Sequence, residues 1–187
     1  MTEDASWRGT KIGPMTAEEM NSFLLGPWLG RLACLKPDGW PYIVPVWYHW
    51  DGVGFWVVPR ARSAWAHYMA LDPRVCLVVD EPDPPIRKVT CEGTAVVVEA
   101  GVGPYLDNGE KSVWSKIGDK YTGPRYLGQE RSEEYRGSVN VEPCWTFKIV
   151  PRRILTWQGF DWAGRYKHPE FYPDEEGKPR VETAFPA

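Results

Sequence analysis

The chain is poor in the residues that carry metal and nucleophile chemistry. Its 187 residues include three histidines, His49, His67 and His168, and neither metal-ligand nor triad spacing relates them. The four cysteines, Cys34, Cys76, Cys91 and Cys144, form no CxxC pair, which argues against the common zinc frameworks. The first three lie in apolar, strand-like runs and read as buried reduced thiols. HExxH, GxSxG, GxGxxG and the Walker A pattern are absent, so the chemistries they mark have no support here. No segment approaches the roughly 20 apolar residues of a membrane-spanning helix. The polar start MTEDASWRGTK lacks the apolar region of a secretory signal, so a cytoplasmic location is expected. Positive charge is not in excess either. There are 22 Lys and Arg against 25 Asp and Glu, a formal net charge of −3, which leaves no electrostatic footprint for nucleic acid.

What is present is an ordinary globular balance, 43% hydrophobic and 25% charged, of a size for one domain. A single domain over residues 1–187 is expected, with an N-terminal arm (1–13) and an aromatic, proline-rich C-terminal tail (159–187). Thr16 and Glu19 make a capping box, with Met15 and Met20 as its hydrophobic staple, and Gly26-Pro27 stops the helix that follows. Strand signals come next. Gly30 to Leu35 leads through the turn Lys36-Pro37-Asp38-Gly39 to an extended run from Trp40 to Trp50. Pro41 and Pro45 make that run an edge strand or a bulged one. Phe55 to Val58 pairs back across Asp51-Gly52. A short helix from Ser63 to Leu71 precedes Val75 to Val79, an apolar run read as a strand buried on both faces. After a proline-rich connector, Lys88 to Val98 is a long strand with Gly93 as a bend or close-approach point. Two helices are expected within 102–138, joined near Gly123-Pro124. Trp145 to Trp157 is a strand pair or one bent strand. A meander broken by one helix leaves little room for a doubly wound sheet.

Two stretches suit a planar, phosphorylated ligand. Val58-Pro59-Arg60-Ala61-Arg62-Ser63 sets two guanidinium groups and a hydroxyl at a helix start, where free N–H groups already favour an anion. Arginine adds bidentate donors for phosphate. A solvated loop with an ordinary N-cap fits the same residues. The strand Tyr42-Ile43-Val44-Pro45-Val46-Trp47 offers an apolar slot beside interrupted backbone, which a flavin ring requires; it also reads as a plain edge strand. Among 11 tryptophans, Trp47, Trp50, Trp56 and Trp65 lie near this region as an aromatic box or as core residues. Thr156 to Tyr166, with Trp157 and Trp162, suits a flap over a ligand or a docked tail. His49 and His67 are candidate proton donors or structural residues.

Taken in order, Asp38-Gly39, Pro41, Pro45-Val46-Trp47, Trp50-Asp51-Gly52, Ser63, Asp72-Pro73-Arg74-Val75, and Val89 with Gly93 and Ala95 resemble the pattern of the flavin-binding split-barrel family of pyridoxamine-phosphate-oxidase-like proteins. That family includes a branch that uses the deazaflavin F420. The resemblance runs from Leu32 to about Glu99. It implies an α+β fold, a six-stranded split antiparallel β-barrel with peripheral helices, and a homodimer with two cofactor sites at the subunit interface. By position, Tyr42, Val44, Pro45, Val46 and Trp47 would face the flavin ring. Pro59, Arg60, Arg62 and Ser63 would sit near the ribityl phosphate, and the tail residues Trp157 and Trp162 of the second subunit would cover the ring. Trp65 stands where the family often has a phosphate-binding lysine, so Arg60 or Arg62 replaces that lysine or Trp65 fills the pocket. The signature of true pyridoxamine phosphate oxidases is absent. The implied function is an FMN-dependent oxidoreductase acting on a small planar molecule. The alternatives are an F420-dependent reductase and a non-catalytic protein that holds a flavin or a haem.

Overall fold

The computed structural model describes residues 13–83, 86–102, 112–123, 127–139 and 142–159. The first helix forms as its cap dictates. In α1 (Ala17–Leu24) the Thr16 hydroxyl accepts from the Glu19 N–H at 3.2 Å, and the Glu19 carboxylate accepts from the Thr16 N–H at 2.6 Å. Two donors that a helix start leaves without partners are thereby satisfied. Phe23 and Leu24 enter the core, Met15 joins them, and Met20 packs against the same cluster.

One antiparallel sheet organises the rest. Its strands are β1 (Gly30–Leu35), β2 (Pro41–Val46), β3 (His49–Trp50), β4 (Phe55–Val57), β5 (Arg74–Asp80), β6 (Lys88–Val102) and β7 (Cys144–Trp157). They lie in the order β2-β1-β5-β6-β7-β4-β3. The strands at the two ends of that order, β2 and β3, are separated in sequence by only Trp47 and Tyr48. The chain thus passes from one end of the sheet to the other within two residues, and the sheet must curl until its ends approach. The fold is an α+β split barrel. Among the described residues it has seven strands and not the expected six, because the run read as one strand from Trp40 to Trp50 breaks at Trp47-Tyr48. Pro45 has no N–H to continue a ladder. Beyond it Tyr48 turns fully inward and donates its hydroxyl to the Leu24 carbonyl at 3.1 Å. As the prolines require, β2 pairs on one side only, with β1, setting Pro41 opposite Leu35 and Pro45 opposite Arg31.

Several local expectations hold and some need correction. Gly93 lies at a register shift in β6, where a Cβ would stand 2.7 Å from the Val150 carbonyl oxygen; only glycine permits that approach. Opposite it, Pro151 bends β7, which is one strand of 14 residues and not a pair. β5 is not buried on both faces. Val75, Leu77 and Val79 are buried while Cys76 and Val78 are half-buried, and an apolar run alone does not distinguish one covered face from two. The helices are α2 (Ala64–Leu71), α3 (Val113–Thr122) and α4 (Gln129–Val139), the last two being the pair expected within 102–138. Cys34, Cys91 and Cys144 are buried, Cys76 is half-buried, and all four are free thiols. Burial pushes the Cys91 thiol up to about 12. Gly13 and Gln158 exchange backbone hydrogen bonds of 2.9 Å in both directions, so the expected loose arm is fixed where it joins the domain. Residues 1–12 and 160–187, most of the arm and tail together with Trp162, lie outside the described residues. Among the described residues no helix is long and apolar enough to cross a membrane.

Candidate functional site

A cleft of about 410 Å³ opens where β2 ends, between the loop entering α2 and one side of α3. Leu29, Pro45, Val46, Trp47, Val58, Arg60, Trp65, Trp114 and Ile117 line it. The volume falls within the range of small-molecule sites. Three indoles and several aliphatic groups make its walls apolar, and Arg60 is the one charged side chain among the described lining residues. Trp47 is held in place from behind. Tyr121 of α3 stacks on it with ring centroids 5.2 Å apart and planes within 4°. The Tyr121 hydroxyl in turn donates to the Trp28 carbonyl at 2.6 Å. A backed aromatic wall of this kind keeps its shape when a ligand arrives, which lowers the ordering cost of binding.

Of the residues singled out in the sequence, the fold brings Pro45, Val46, Trp47, Arg60 and Trp65 to this one cleft. Tyr42 and Val44 are not among its lining. They share the inward-leaning side of β2, pack against the core, and Tyr42 meets Tyr68 edge-on at 5.5 Å. Pro59 is buried, and its carbonyl accepts from the Trp145 N–H at 2.9 Å. Ser63 precedes α2 as expected, yet its hydroxyl makes no capping bond. Trp157 ends β7 opposite Lys88 and lies away from the cleft lining. In the proposed aromatic box, Trp50 and Trp56 serve other ends. Trp50 donates to Asn21 at 2.7 Å, and Trp56 donates to Asp51 at 2.7 Å. Neither His49 nor His67 lines the cleft. His67 Nε2 lies 2.8 Å from the Ala61 carbonyl. Burial, and then the charges of Lys116 and Lys120, lower the pKa of His49.

Trp114 and Ile117 were not anticipated. They come from a polar segment without an evident motif, and their one sequence signal is the spacing of Trp114, Ile117 and Tyr121, which falls on one side of a helix. Ser112 starts that helix by accepting from the Ser115 N–H at 3.1 Å.

The two arginines take different positions. The loop 59–61 is laced to the start of β7: Arg60 forms a backbone bridge with Cys144, and the Ala61 N–H donates to the Pro143 carbonyl at 2.9 Å. This fixes Arg60 at the cleft. Arg62 points outward with its side chain 78% exposed and holds Glu142 through Nε at 2.9 Å and Nη2 at 3.4 Å. Glu142 also lies 3.8 Å from Arg60 Nη1. The Arg62 hydrogen bond, aided by the charges of both arginines and opposed by slight desolvation, holds the Glu142 carboxyl below its ordinary pKa.

Lys120 pins α3 over the barrel. Its ammonium donates to the Leu24 carbonyl at 2.9 Å, 3.5 Å above the centre of the Tyr48 ring. The carbonyl at a helix end and the ring face both favour the charged form, but burial prevails and lowers the pKa to about 7. The sign of the pH effect follows. The unfolded lysine, with a pKa near 10.4, binds its proton more tightly than the folded one. Between about pH 7 and pH 10 stability therefore rises with pH. Lys120→Met is expected to remove most of that rise and to gain on the order of 1–2 kcal/mol at pH 7. Urea denaturation of both proteins at pH 7 and pH 9.5 checks it; parallel changes in the two would contradict it.

The family model described as pyridoxamine 5'-phosphate oxidase matches residues 16–148, which include β1 to β6 and every lining residue named above. The chain belongs to the pyridoxamine 5'-phosphate oxidase-like family. No curated protein sequence matches it. Among solved structures, a conserved hypothetical protein, Rv2991, from Mycobacterium tuberculosis is similar at 28% identity with a TM-score of 0.60, over 80% of this chain and 88% of that one. An F420 reductase is similar at 22% identity with a TM-score of 0.52, over 72% of this chain and 94% of that one. A FAD-binding protein from Mesorhizobium loti follows at 20% identity with a TM-score of 0.53, over 81% and 98% of the two chains. At these identities the last two share the fold alone. A shared fold does not fix the ligand, so what this chain holds follows from its own cleft.

Proposed function

We propose that the cleft binds a flavin-type cofactor, FMN in the first instance, and that the chain is an oxidoreductase acting on a small planar organic molecule. The observation that carries this reading is the grouping of Trp47, Trp65 and Trp114 around Arg60 in one cleft. An isoalloxazine ring needs an apolar slot, and its phosphate needs a fixed cation. The residues present fit both needs. When bound, the cofactor supplies hydride or electron transfer through its ring. The protein's part is to hold and orient: Pro45, Val46 and the indoles exclude water from the ring, and Arg60 takes over from the lysine that Trp65 replaces. F420 is the alternative cofactor, and a non-catalytic binder of a planar ligand such as a flavin or haem is the alternative outside the enzymes.

A homodimer is part of the proposal. Val96, Val97 and Val98 of β6 are 45%, 41% and 50% exposed, an apolar run on a strand that a second copy would cover. In this reading the cofactor site lies at that interface. An absorption spectrum of the purified protein, before and after reconstitution with FMN, together with its mass by light scattering, tests both parts. A retained flavin spectrum and twice the 21.4 kDa chain mass are expected. A colourless, monomeric protein after reconstitution would contradict the reading. Retained flavin without turnover in the presence of an electron donor would favour the binding protein.

A further inference from the structure

We propose that Glu142 sets the anion preference of the cleft: its carboxylate, held by Arg62, stands beside Arg60 as an internal anion that competes with a ligand phosphate for Arg60. This rests on the cofactor reading above, yet its anion part can be tested without a flavin. The geometry is that of an occupied anion site. One carboxylate oxygen lies 2.9 Å from Arg62 Nε and 3.8 Å from Arg60 Nη1, and the other lies 3.4 Å from Arg62 Nη2. The main chain delivers Glu142 to this place. It is followed by Pro143, whose carbonyl accepts from the Ala61 N–H, and by Cys144, which bridges Arg60. The carboxylate therefore stands beside the one charged group among the described residues that line the cleft.

Charge decides what this does. The Glu142 carboxylate offsets part of the positive charge that Arg60 and Arg62 bring to this corner of the cleft. A phosphomonoester carries about −1.5 to −2 at pH 7 and would meet that reduced charge with an anion already in its place. Displacement remains feasible, because the Glu142 and Arg62 side chains are 41% and 78% exposed and exposed ion pairs hold weakly. Glu142 thus tunes affinity and does not block it. Ligands without a phosphate are indifferent to it.

Glu142→Gln keeps the shape of the side chain and removes its charge. Inorganic phosphate, FMN and riboflavin are titrated calorimetrically against the full chain, its Glu142→Gln variant, and the variant that also carries Arg60→Ala. Glu142→Gln should tighten phosphate and FMN roughly tenfold, equivalent to about 1.4 kcal/mol. Riboflavin should stay within about twofold, and Arg60→Ala should cancel the gain. Phosphate affinity that is unchanged, weakened or still unmeasurable in Glu142→Gln, with the denaturation midpoint preserved, overturns the proposal. If phosphate tightens while no variant binds either flavin, the role of Glu142 stands and the cofactor reading falls. If FMN binds the wild type but neither FMN nor phosphate responds to Glu142→Gln, the cofactor reading stands and the role of Glu142 falls.

Discussion

Replacing Arg60 by alanine should weaken FMN binding by roughly ten- to a hundredfold, since a hydrogen bond to a charged group contributes about 1.5–3 kcal/mol and each decade of affinity is about 1.4 kcal/mol. Riboflavin, which has no phosphate, should change little. Arg60 is singled out because it alone among the described cleft residues carries charge and because backbone pairing to Pro143 and Cys144 holds its loop in place. Arg62 was an equal candidate in the sequence, but its side chain turns away from the lining and is 78% exposed. Arg62→Ala should weaken FMN by less than about threefold, the range of an exposed charge near a site. Paired titrations of FMN and riboflavin against both variants check these outcomes. Equal losses for both ligands in Arg60→Ala would assign the arginine to the fold. A greater loss in Arg62→Ala than in Arg60→Ala would place the phosphate outside the cleft.

Asp51→Ala should destabilise the folded chain by about 2–3 kcal/mol, a discounted sum over several charge-assisted hydrogen bonds at a partly shielded site. The Asp51 side chain is 23% exposed and accepts from the Val53 N–H at 2.9 Å, the Gly54 N–H at 2.7 Å, Trp56 Nε1 at 2.7 Å and Lys148 Nζ at 2.8 Å. It ties the β3–β4 turn to β7. The turn itself needs Gly52, whose φ is +93°, a backbone conformation that side chains disfavour. Burial alone would raise the Asp51 pKa, but the hydrogen bonds from Lys148, Trp56, Val53 and Gly54 outweigh it and hold the carboxyl well below the usual range. A depressed carboxyl stabilises above its unfolded pKa of about 3.9 and loses that contribution as pH falls below it. Asp51→Asn retains the turn's shape and should lower stability at pH 7 while flattening its loss below about pH 4. Denaturant unfolding at pH 7 and pH 3 measures both effects. An Asp51→Asn variant as acid-sensitive as the wild type would refute the assignment.

Local signals made much of this fold legible. Thr16 and Glu19 form the reciprocal cap that their spacing specifies, because both bonds lie within one turn of chain. Pro41 and Pro45 placed β2 at a sheet end, because a missing N–H is a local fact with a topological consequence. The break at Trp47-Tyr48 was not legible. It depends on Tyr48 finding the Leu24 carbonyl across the barrel, a contact between residues 24 positions apart. The same holds for the site. Pro45, Trp47, Arg60 and Trp65 could be named from short stretches of sequence, but their shared cleft is completed by Trp114 and Ile117 of a helix far along the chain. Tyr42 and Val44 show the limit of a strand pattern: they share a side of β2 with Val46, yet they pack on the core and only the end of the strand reaches the cleft. Ser63 shows that a favoured cap residue need not make its bond. Glu142 carried no motif at all, and its pairing with the arginines exists only because β7 begins beside the loop before α2.

Whether the indole-walled cleft at the end of β2 holds a flavin-type cofactor is decided by titrating the purified chain with FMN and with F420 and following tryptophan fluorescence, because Trp47, Trp65 and Trp114 form the walls. Saturable quenching at one cofactor per chain is the expected result, with a Kd in the micromolar range or below and a weaker Kd for FMN in Arg60→Ala. Linear, unsaturated quenching by both cofactors, unchanged by Arg60→Ala, would contradict it.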